Sequence, residues 1–233
     1  MANLEKAMEK EQEYIAYRMK GEEPFHLADA VKECGFETLE QYFTAKHRHE
    51  IAQMGVVQVT QAEWLGEATR YINEGLHKTA YLVVENPVVG VYSKSQVDEE
   101  VCNTLGYEVV ETYNDASAVV HSKGDILFGH FCTTDIGWHR LFIEHFVNWL
   151  KGKGLNADYV SNDIVVDGYK VCGMAVTKYG ELTYTAGFIG INTDLDHIKQ
   201  ICKKPMVKVP KGLSEYGITT EEVEAMFLAF CET

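Results

Sequence analysis

Two patterns of hydrophobic and polar positions divide the chain near residue 55. Up to that point strong helix formers dominate, and their spacing predicts helices over residues 4–19, 25–31 and 38–51. Gly21 and Cys34-Gly35 lie where these helices should be interrupted. Residues 1–55 are therefore predicted to form a helical N-terminal module that serves packing or partner docking.

From residue 56 onward, short β-rich runs lie between well-capped helices. Strands are predicted over residues 80–85, 88–93, 107–111, 116–120 and 125–132. Helices are predicted to open at the capping boxes Thr60-x-x-Glu63 and Thr219-x-x-Glu222, and to begin near residues 97, 135 and 193. Residues 56–233 are therefore expected to form one larger domain.

Two hairpins indicate how the strands of this domain are connected. Asp167-Gly168 separates two strand-like runs, which is the strongest short-range hairpin signal. A second hairpin is predicted to turn at Lys178-Tyr-Gly180. Hairpins mixed with helices, rather than a regular βαβ alternation, predict an α+β fold with a mixed, mostly antiparallel sheet and flanking helices.

The strand after Asp167-Gly168 carries an unusual lysine. Strict alternation would place Lys170 and Cys172 on one face and Gly173 and Ala175 on the other. Since both faces are otherwise apolar, the ammonium of Lys170 must either reach water at the end of the strand or meet an anion. Gly173, in the middle of the strand, is typical of a place where a ligand or another backbone approaches closely.

Net charge and cysteine usage narrow the class of partner and the compartment. The chain has 21 Lys and Arg against 35 Asp and Glu, a formal net charge of −14, which opposes binding to nucleic acid or to an anionic membrane. The N-terminus lacks the apolar core of a secretory signal. Six scattered cysteines without a CxxC pair favour reduced thiols, and we therefore expect a cytoplasmic protein.

Two cysteines are candidate nucleophiles. Cys172 would share a face with Lys170, a cation that could lower the pKa of the thiol. Cys202 follows the helix predicted to begin near residue 193. A single cysteine is also often a small buried hydrophobic residue, so both interpretations stay open.

The run from Asn162 to Ala175, NDIVVDGYKVCGMA, resembles the NDI-x-VDG-x-KV-x-G-x-A signature of the biotin/lipoate ligase-like family. Within that family it is closest to the lipoate–protein ligase A and octanoyltransferase branch. ENPVVGVYSKSQ, TAGFIGINTDLDHIKQI and EYGITTEEVEAMFLAF are similar to flanking parts of the same fold. The resemblance extends from about residue 58 to residue 233.

This resemblance implies transfer of lipoate, octanoate or biotin to a lysine of a lipoyl-type carrier domain, with an ATP-derived adenylate or a thioester as donor. Lys170 would contact the acyl carbonyl, and a fixed cation there stabilises the oxyanion that develops. Asn162 and Asp163 match the pair near the nucleotide, with Asp163 as a Mg²⁺ ligand. Gly173 and Ala175 belong to the strands that would line the acyl tunnel.

One stretch departs from the family pattern. Where family ligases carry RR-x-x-GGGAV followed by H-D-x-G-[ND], this chain has residues 111–125, of which Ala118 and His121 are the retained acyl-binding candidates. Glu111 and Asp115 should weaken binding of an anionic adenylate, because arginines supply positive charge there. Three interpretations follow: a divergent ligase or transferase, a thioester transferase with Cys202 as acyl carrier, and a non-catalytic binder of an acyl ligand or a partner.

Overall fold

A computed structural model describes residues 2–21, 25–61, 78–111, 118–132, 137–179 and 182–232. The chain divides into two compact units, one formed by Met1–Met54 with Glu232–Thr233 and the other by Gly55–Cys231. We propose that these units are the two domains expected at residues 1–55 and 56–233. No helix among the described residues has both the length and the apolar character needed to cross a membrane.

Three helices form the N-terminal unit: α1 over Leu4–Met19, α2 over Leu27–Glu33 and α3 over Leu39–Met54. The Asn3 side chain caps α1 by accepting a hydrogen bond from the Lys6 backbone N–H. Between the helices lies a small apolar core that includes Val31 and Tyr42. The predicted helices are thus confirmed, with ends displaced by up to three residues.

Among its described residues, the larger unit contains ten strands and four α-helices. Its strands are β1 Val56–Gln58, β2 Lys78–Val83, β3 Val88–Val91, β4 Glu108–Glu111, β5 Val119–His121, β6 Ile126–Cys132, β7 Ala157–Val160, β8 Asp163–Val166, β9 Tyr169–Tyr179 and β10 Leu182–Ile189. Its helices are α4 Glu99–Thr104, α5 Trp138–Gly152, α6 Leu195–Ile201 and α7 Thr220–Glu232. The helix predicted from Thr60-x-x-Glu63 falls largely at residues 62–77, outside the described residues.

Two sheets organise these strands. In the described part of the chain, the larger has seven strands in the order β1-β2-β6-β10-β9-β8-β7, of which only the β1–β2 pair is parallel. The smaller has the order β4-β3-β5, with β3 parallel to β4 and antiparallel to β5. The predicted α+β fold with a mostly antiparallel sheet is therefore confirmed.

Aromatic packing attaches α5 and α7 to the larger sheet. Phe128 of β6 lies 4.9 Å from Phe142 of α5 and 5.4 Å from Phe227 of α7, measured between ring centroids. Trp138, Phe142 and Phe227 are almost completely buried. Burial of aromatic rings contributes much of the energy of a core, so this cluster stabilises the packing of both helices on β6.

Local sequence signals fixed two connections. Asp167 and Gly168 have φ angles of 52° and 83°, the left-handed conformation that a tight hairpin turn needs, and β8 pairs with β9 across them. At the start of α7 the Thr219 hydroxyl accepts from the Glu222 N–H, while the Glu222 carboxylate accepts from the Thr219 N–H. Both predictions are confirmed.

One local expectation about β9 is wrong. Val165 pairs with Lys170 and its neighbour Ile164 pairs with Cys172, so Val171 is an extra residue that bulges from the ladder. A bulge resets the alternation of side chains. The side chain of Lys170 consequently lies on the same face as Gly173, not with Cys172, and a Cβ atom added to Gly173 would be 2.6 Å from Lys170 Nζ.

Candidate active site

A cavity of about 450 Å³ opens beside the bulged part of β9. This volume lies in the usual range for pockets that bind small molecules. Much of its wall is apolar and is provided by Val119, Val120, Phe188, Ile198 and Met206. Asp163, Lys170, Lys204 and Lys208 also line it. The cavity therefore combines an apolar wall with positively charged side chains.

The amine of Lys170 is held at this cavity from several sides. Lys170 Nζ lies 2.9 Å from Asp163 Oδ1 and 5.3 Å from the centroid of the Phe188 ring. It also lies above Gly173, where a side chain would collide with it. Only 25% of the Lys170 side chain is exposed, so the ammonium is positioned at the cavity and does not extend into bulk solvent.

The backbone of Lys170 is fixed as well. Its N–H donates to Val209 O at 3.0 Å, and its carbonyl accepts from the Lys211 N–H at 3.0 Å. β10 pairs with β9 only as far as Cys172, and beyond it Pro210 pairs with Lys170 in a parallel bridge, so these backbone groups are satisfied. Both the main chain and the side chain of Lys170 are therefore restrained.

Asp163 pairs with two lysines. Lys170 Nζ lies 2.9 Å from Oδ1 of Asp163, and Lys208 Nζ lies 2.7 Å from Oδ2. Desolvation raises the pKa of the Asp163 carboxyl, but the hydrogen bonds from Lys208 and Lys170 outweigh it and hold the pKa below its ordinary value. The carboxylate is ionised and orients both cations.

The Mg²⁺ role predicted for Asp163 stays a prediction. Mg²⁺ is commonly held by one or two carboxylates together with substrate phosphates and waters, and Asp163 supplies one carboxylate at the cavity. Its two oxygens already pair with Lys170 and Lys208, so a metal ion there would compete with these ammonium groups. In the described part of the chain, no three His, Cys, Asp or Glu side chains cluster as metal ligands.

Lys208 was missed by the sequence interpretation. Its amine donates to Val160 O at 3.0 Å in addition to Asp163. A signal existed in the sequence, because residues 202–211 contain four lysines and no acidic residue in a chain of net charge −14. Phe188 and Met206 were also missed, since nothing local distinguishes a cavity-lining apolar residue from one in the core.

The two candidate thiols occupy different places. Cys202 lines the cavity and is half-buried, whereas Cys172 is completely buried. Burial raises the pKa of both thiols, and for Cys202 the nearby Cys102 adds to the effect. Protonated thiols are poor nucleophiles. The structure thus brings Cys202, but not Cys172, to the cavity, and favours thiolate chemistry at neither.

The remaining site candidates divide between the cavity wall and its support. Ala118 lines the cavity. Gly173 lies beneath the Lys170 amine, and the Asn162 carbonyl accepts from the Met174 N–H. Ala175 of β9 pairs with Ala186 of β10 and does not itself line this cavity. Residues 112–117 of the divergent stretch lie outside the described residues.

His121 lies behind the cavity wall. Its ring contacts the Phe188 ring edge-on, with 5.3 Å between centroids, and Phe188 lines the cavity. Burial lowers the pKa of His121 to about 4, and its Nδ1 has no hydrogen-bond partner among the described residues. His121 thus contacts the cavity-lining Phe188 from behind and does not itself line this cavity, and its acyl-binding role stays a prediction.

This burial predicts an acid sensitivity that depends on His121. The folded-state pKa lies below the ordinary value of 6.5, so the unfolded chain binds the proton more readily, and stability present above pH 6.5 is lost as the pH falls toward 4. We expect His121→Phe to remove about 2 kcal/mol of the stability difference between about pH 7 and pH 5. Urea unfolding of wild type and His121→Phe at the two pH values gives the free energies of unfolding. The same loss of unfolding free energy from the higher to the lower pH in both proteins would contradict the prediction.

Asp125 is a structural residue of the same region. Its Oδ1 accepts from the N–H groups of Ile191 and Asn192, and its Oδ2 accepts from that of Ser122. Desolvation raises the pKa of Asp125 to about 6, although these hydrogen bonds oppose the shift. Asp125 thereby ties the turn before β6 to the end of β10.

Comparison with known proteins agrees with this fold. Residues 63–227 match the family described as the lipoyl protein ligase A/B catalytic domain. Lipoate–protein ligase 1 of Staphylococcus aureus (strain Mu50 / ATCC 700699) is 30% identical over 140 residues, which cover 56% of this chain and 42% of the relative. The match thus spans less than half of that relative's length.

Solved structures show the same fold at low sequence identity. P. falciparum LipL1 in complex with lipoate has a TM-score of 0.63 and 18% identity, covering 75% of this chain and 60% of LipL1. A bipartite lipoate protein ligase from Thermoplasma acidophilum, solved in a study that includes its E2 lipoyl domain, has a TM-score of 0.63 and 17% identity. That match covers 76% of this chain and 81% of the other.

Proposed function

The chain belongs to the lipoyl protein ligase A/B catalytic domain family, and from that membership we propose that it attaches lipoate, or a related acyl group, to a lysine of a carrier domain. The relative from Staphylococcus aureus is a lipoate–protein ligase, and a lipoyl domain accompanies the Thermoplasma acidophilum ligase. A lipoyl domain is therefore the acceptor that we propose for this chain.

The observation that carries this proposal is the restrained Lys170 amine at the border of an apolar cavity. Lipoate is an apolar chain that ends in a carboxylate. Val119, Val120 and Ile198 offer the chain an apolar wall, while Lys170 offers the carboxyl group a cation. A site with this pairing of surfaces orients an acyl group with its reactive carbon next to Lys170.

Lys170 would act on the charge that appears during transfer. When the acceptor amine attacks the acyl carbonyl, negative charge develops on the carbonyl oxygen, and an ammonium already fixed beside it stabilises that charge without rearrangement. Asp163 and Phe188 hold the ammonium in place before the substrate arrives. The chain would thus contribute orientation and electrostatic stabilisation.

The properties of the cysteine thiols agree better with an ATP-dependent ligase than with a transferase that carries the acyl group on a cysteine. A carboxylate must be activated before an amine can displace its oxygen. In a ligase, the lipoate carboxylate would attack the α-phosphate of ATP and release pyrophosphate, and the acceptor amine would then displace AMP from the acyl adenylate and lose a proton to solvent. A thioester-forming enzyme would instead need an activated cysteine, yet burial raises the pKa of Cys202, the cavity-lining candidate. We therefore propose ATP as the co-substrate.

The test is incubation of the full chain with lipoate, ATP and an unmodified E2 lipoyl domain, followed by intact-mass spectrometry of the lipoyl domain. The proposal expects a mass increase of one lipoyl group that requires ATP. Octanoate and biotin in place of lipoate define the acyl group, and acyl-carrier thioester in place of ATP distinguishes the transferase. Tight acyl binding without modification under any donor would instead establish a binding protein.

A further inference from the structure

We infer that residues 203–211, here called the basic rim, form the docking surface for the acceptor domain and select one with an acidic face around its target lysine. This inference deepens the proposed function, since it names the surface that the acceptor would contact. It rests on the charge, the exposure and the position of the rim.

The charge of the rim is opposite to that of the whole protein. Lys203, Lys204, Lys208 and Lys211 lie within nine residues that include no Asp or Glu, although the chain has a net charge of −14. Lys208 pairs with Asp163, and Lys211 lies 3.7 Å from Glu215. Lys203 and Lys204 have no acidic partner within ion-pair distance among the described residues, so their charges are available to a partner.

Apolar side chains are exposed at the same place. Val207 is 98% exposed, Val160 beside Lys208 is 52% exposed, and Val209 is 44% exposed. Single exposed valines are common on surfaces, but a cluster bordered by cations has the composition of an interface with an apolar centre and a polar edge. Burial of the exposed valines under a partner would make the free energy of association more favourable.

The rim forms part of the cavity wall. Lys204, Val207 and Lys208 line the same cavity as Lys170, and the backbone of the rim is hydrogen-bonded to both the N–H and the carbonyl of Lys170. An acceptor lysine that reaches the acyl group beside Lys170 brings its own domain against these residues. Docking on the rim would therefore align the acceptor amine with the acyl carbon.

The positive charge of the basic rim indicates which charge its partner should carry. Opposite charge accelerates encounter and disfavours partners of the wrong sign, so Lys203 and Lys204 fit carboxylates that flank the target lysine. An acceptor domain that is neutral or basic around its lysine would lack this attraction. The rim thus gives an acidic enzyme a local means of binding an acidic acceptor.

The experiment measures binding of an unmodified, net-negative E2 lipoyl domain to the full chain by fluorescence anisotropy, at low and high NaCl. The test variants are Lys203→Glu, Lys203→Glu/Lys204→Glu and Val207→Asp. Lys123→Glu/Lys151→Glu is the matched control, because it makes the same change in net charge at two exposed lysines elsewhere. Titration with lipoate and with ATP checks the small-molecule sites.

We expect the double rim variant to raise the Kd for the lipoyl domain about 10-fold and to lose most of the salt dependence, while the control stays within about 2-fold of wild type. Lys203→Glu should raise that Kd by a smaller factor and leave lipoate affinity unchanged. The inference is overturned if rim and control variants change the Kd for the lipoyl domain equally, or if wild-type protein does not bind the domain. It is also overturned if the rim variants change the Kd for ATP and not the Kd for the lipoyl domain.

This readout separates the inference from the proposed function. Rim-dependent binding without any mass increase supports the docking surface and contradicts the ligase. A mass increase that is insensitive to the rim variants supports the ligase and contradicts the docking surface. The two statements therefore fail on different observations.

Discussion

Lys170→Ala is expected to lower kcat for acyl transfer by a factor of about 10²–10³, the usual cost of removing one donor that stabilises a developing oxyanion. Asp163 pairs with Lys208 as well as with Lys170, so its carboxylate keeps one partner and the fold should tolerate the change. The initial rate of lipoyl-domain modification, followed by intact-mass spectrometry at saturating lipoate and ATP, measures the loss.

Lys178→Ala is the matched control for this variant. Lys178 is an exposed residue of the same strand and does not line the cavity. Its replacement should leave kcat within about 2-fold of wild type, because an exposed surface substitution rarely has a larger effect. A Lys170→Ala protein that keeps wild-type kcat while Tm is also unchanged would remove Lys170 from the reaction.

The fold could be predicted from the sequence where short-range signals determine structure. The Asp167-Gly168 turn and the Thr219-x-x-Glu222 capping box depend only on residues close together in the chain, and both form as expected. The change in pattern near residue 55 likewise reflects local composition. Such features follow from the conformational preferences of individual residues and their nearest neighbours.

The details of the site could not be predicted in the same way, because they depend on residues far apart in sequence. Lys208 and Asp163 are 45 positions apart, and their pairing requires the folded sheet. The bulge at Val171 arises from how β9 matches β8, which alternation within one strand does not encode. The sequence therefore suggested Lys170 as a candidate but assigned its side chain to the wrong face of β9.

The bulge also changes the structural role that we assign to Gly173. On the alternation pattern, Gly173 would lie on the face opposite Lys170. Its missing side chain would then make room for a ligand or another backbone segment, and not for the lysine. With the bulge, the absent side chain of Gly173 is what allows the Lys170 amine to lie flat against the strand, between Asp163 and the Phe188 ring. We therefore expect Gly173 to act through Lys170.

Gly173→Ala is therefore expected to lower kcat by a factor of about 10–100, since a displacement of about 1 Å in a positioned group can cost that much. The new Cβ would lie 2.6 Å from both Cε and Nζ of Lys170, and 3.0 Å from Cε1 of Phe188. A flexible lysine end can move away, so Tm should stay close to that of wild type. Transfer rates and thermal unfolding of the same preparation measure both.

The combination with Lys170→Ala shows whether the lysine is the reason. If Gly173 acts only by giving space to the Lys170 amine, then adding Gly173→Ala to Lys170→Ala should change the residual rate by less than about 2-fold, so that the two effects are strongly non-additive. If Gly173→Ala lowers kcat by the same factor in the wild type and in Lys170→Ala, then the added methyl group acts through Phe188 or the cavity wall. In that case the restrained amine would not be what Gly173 provides.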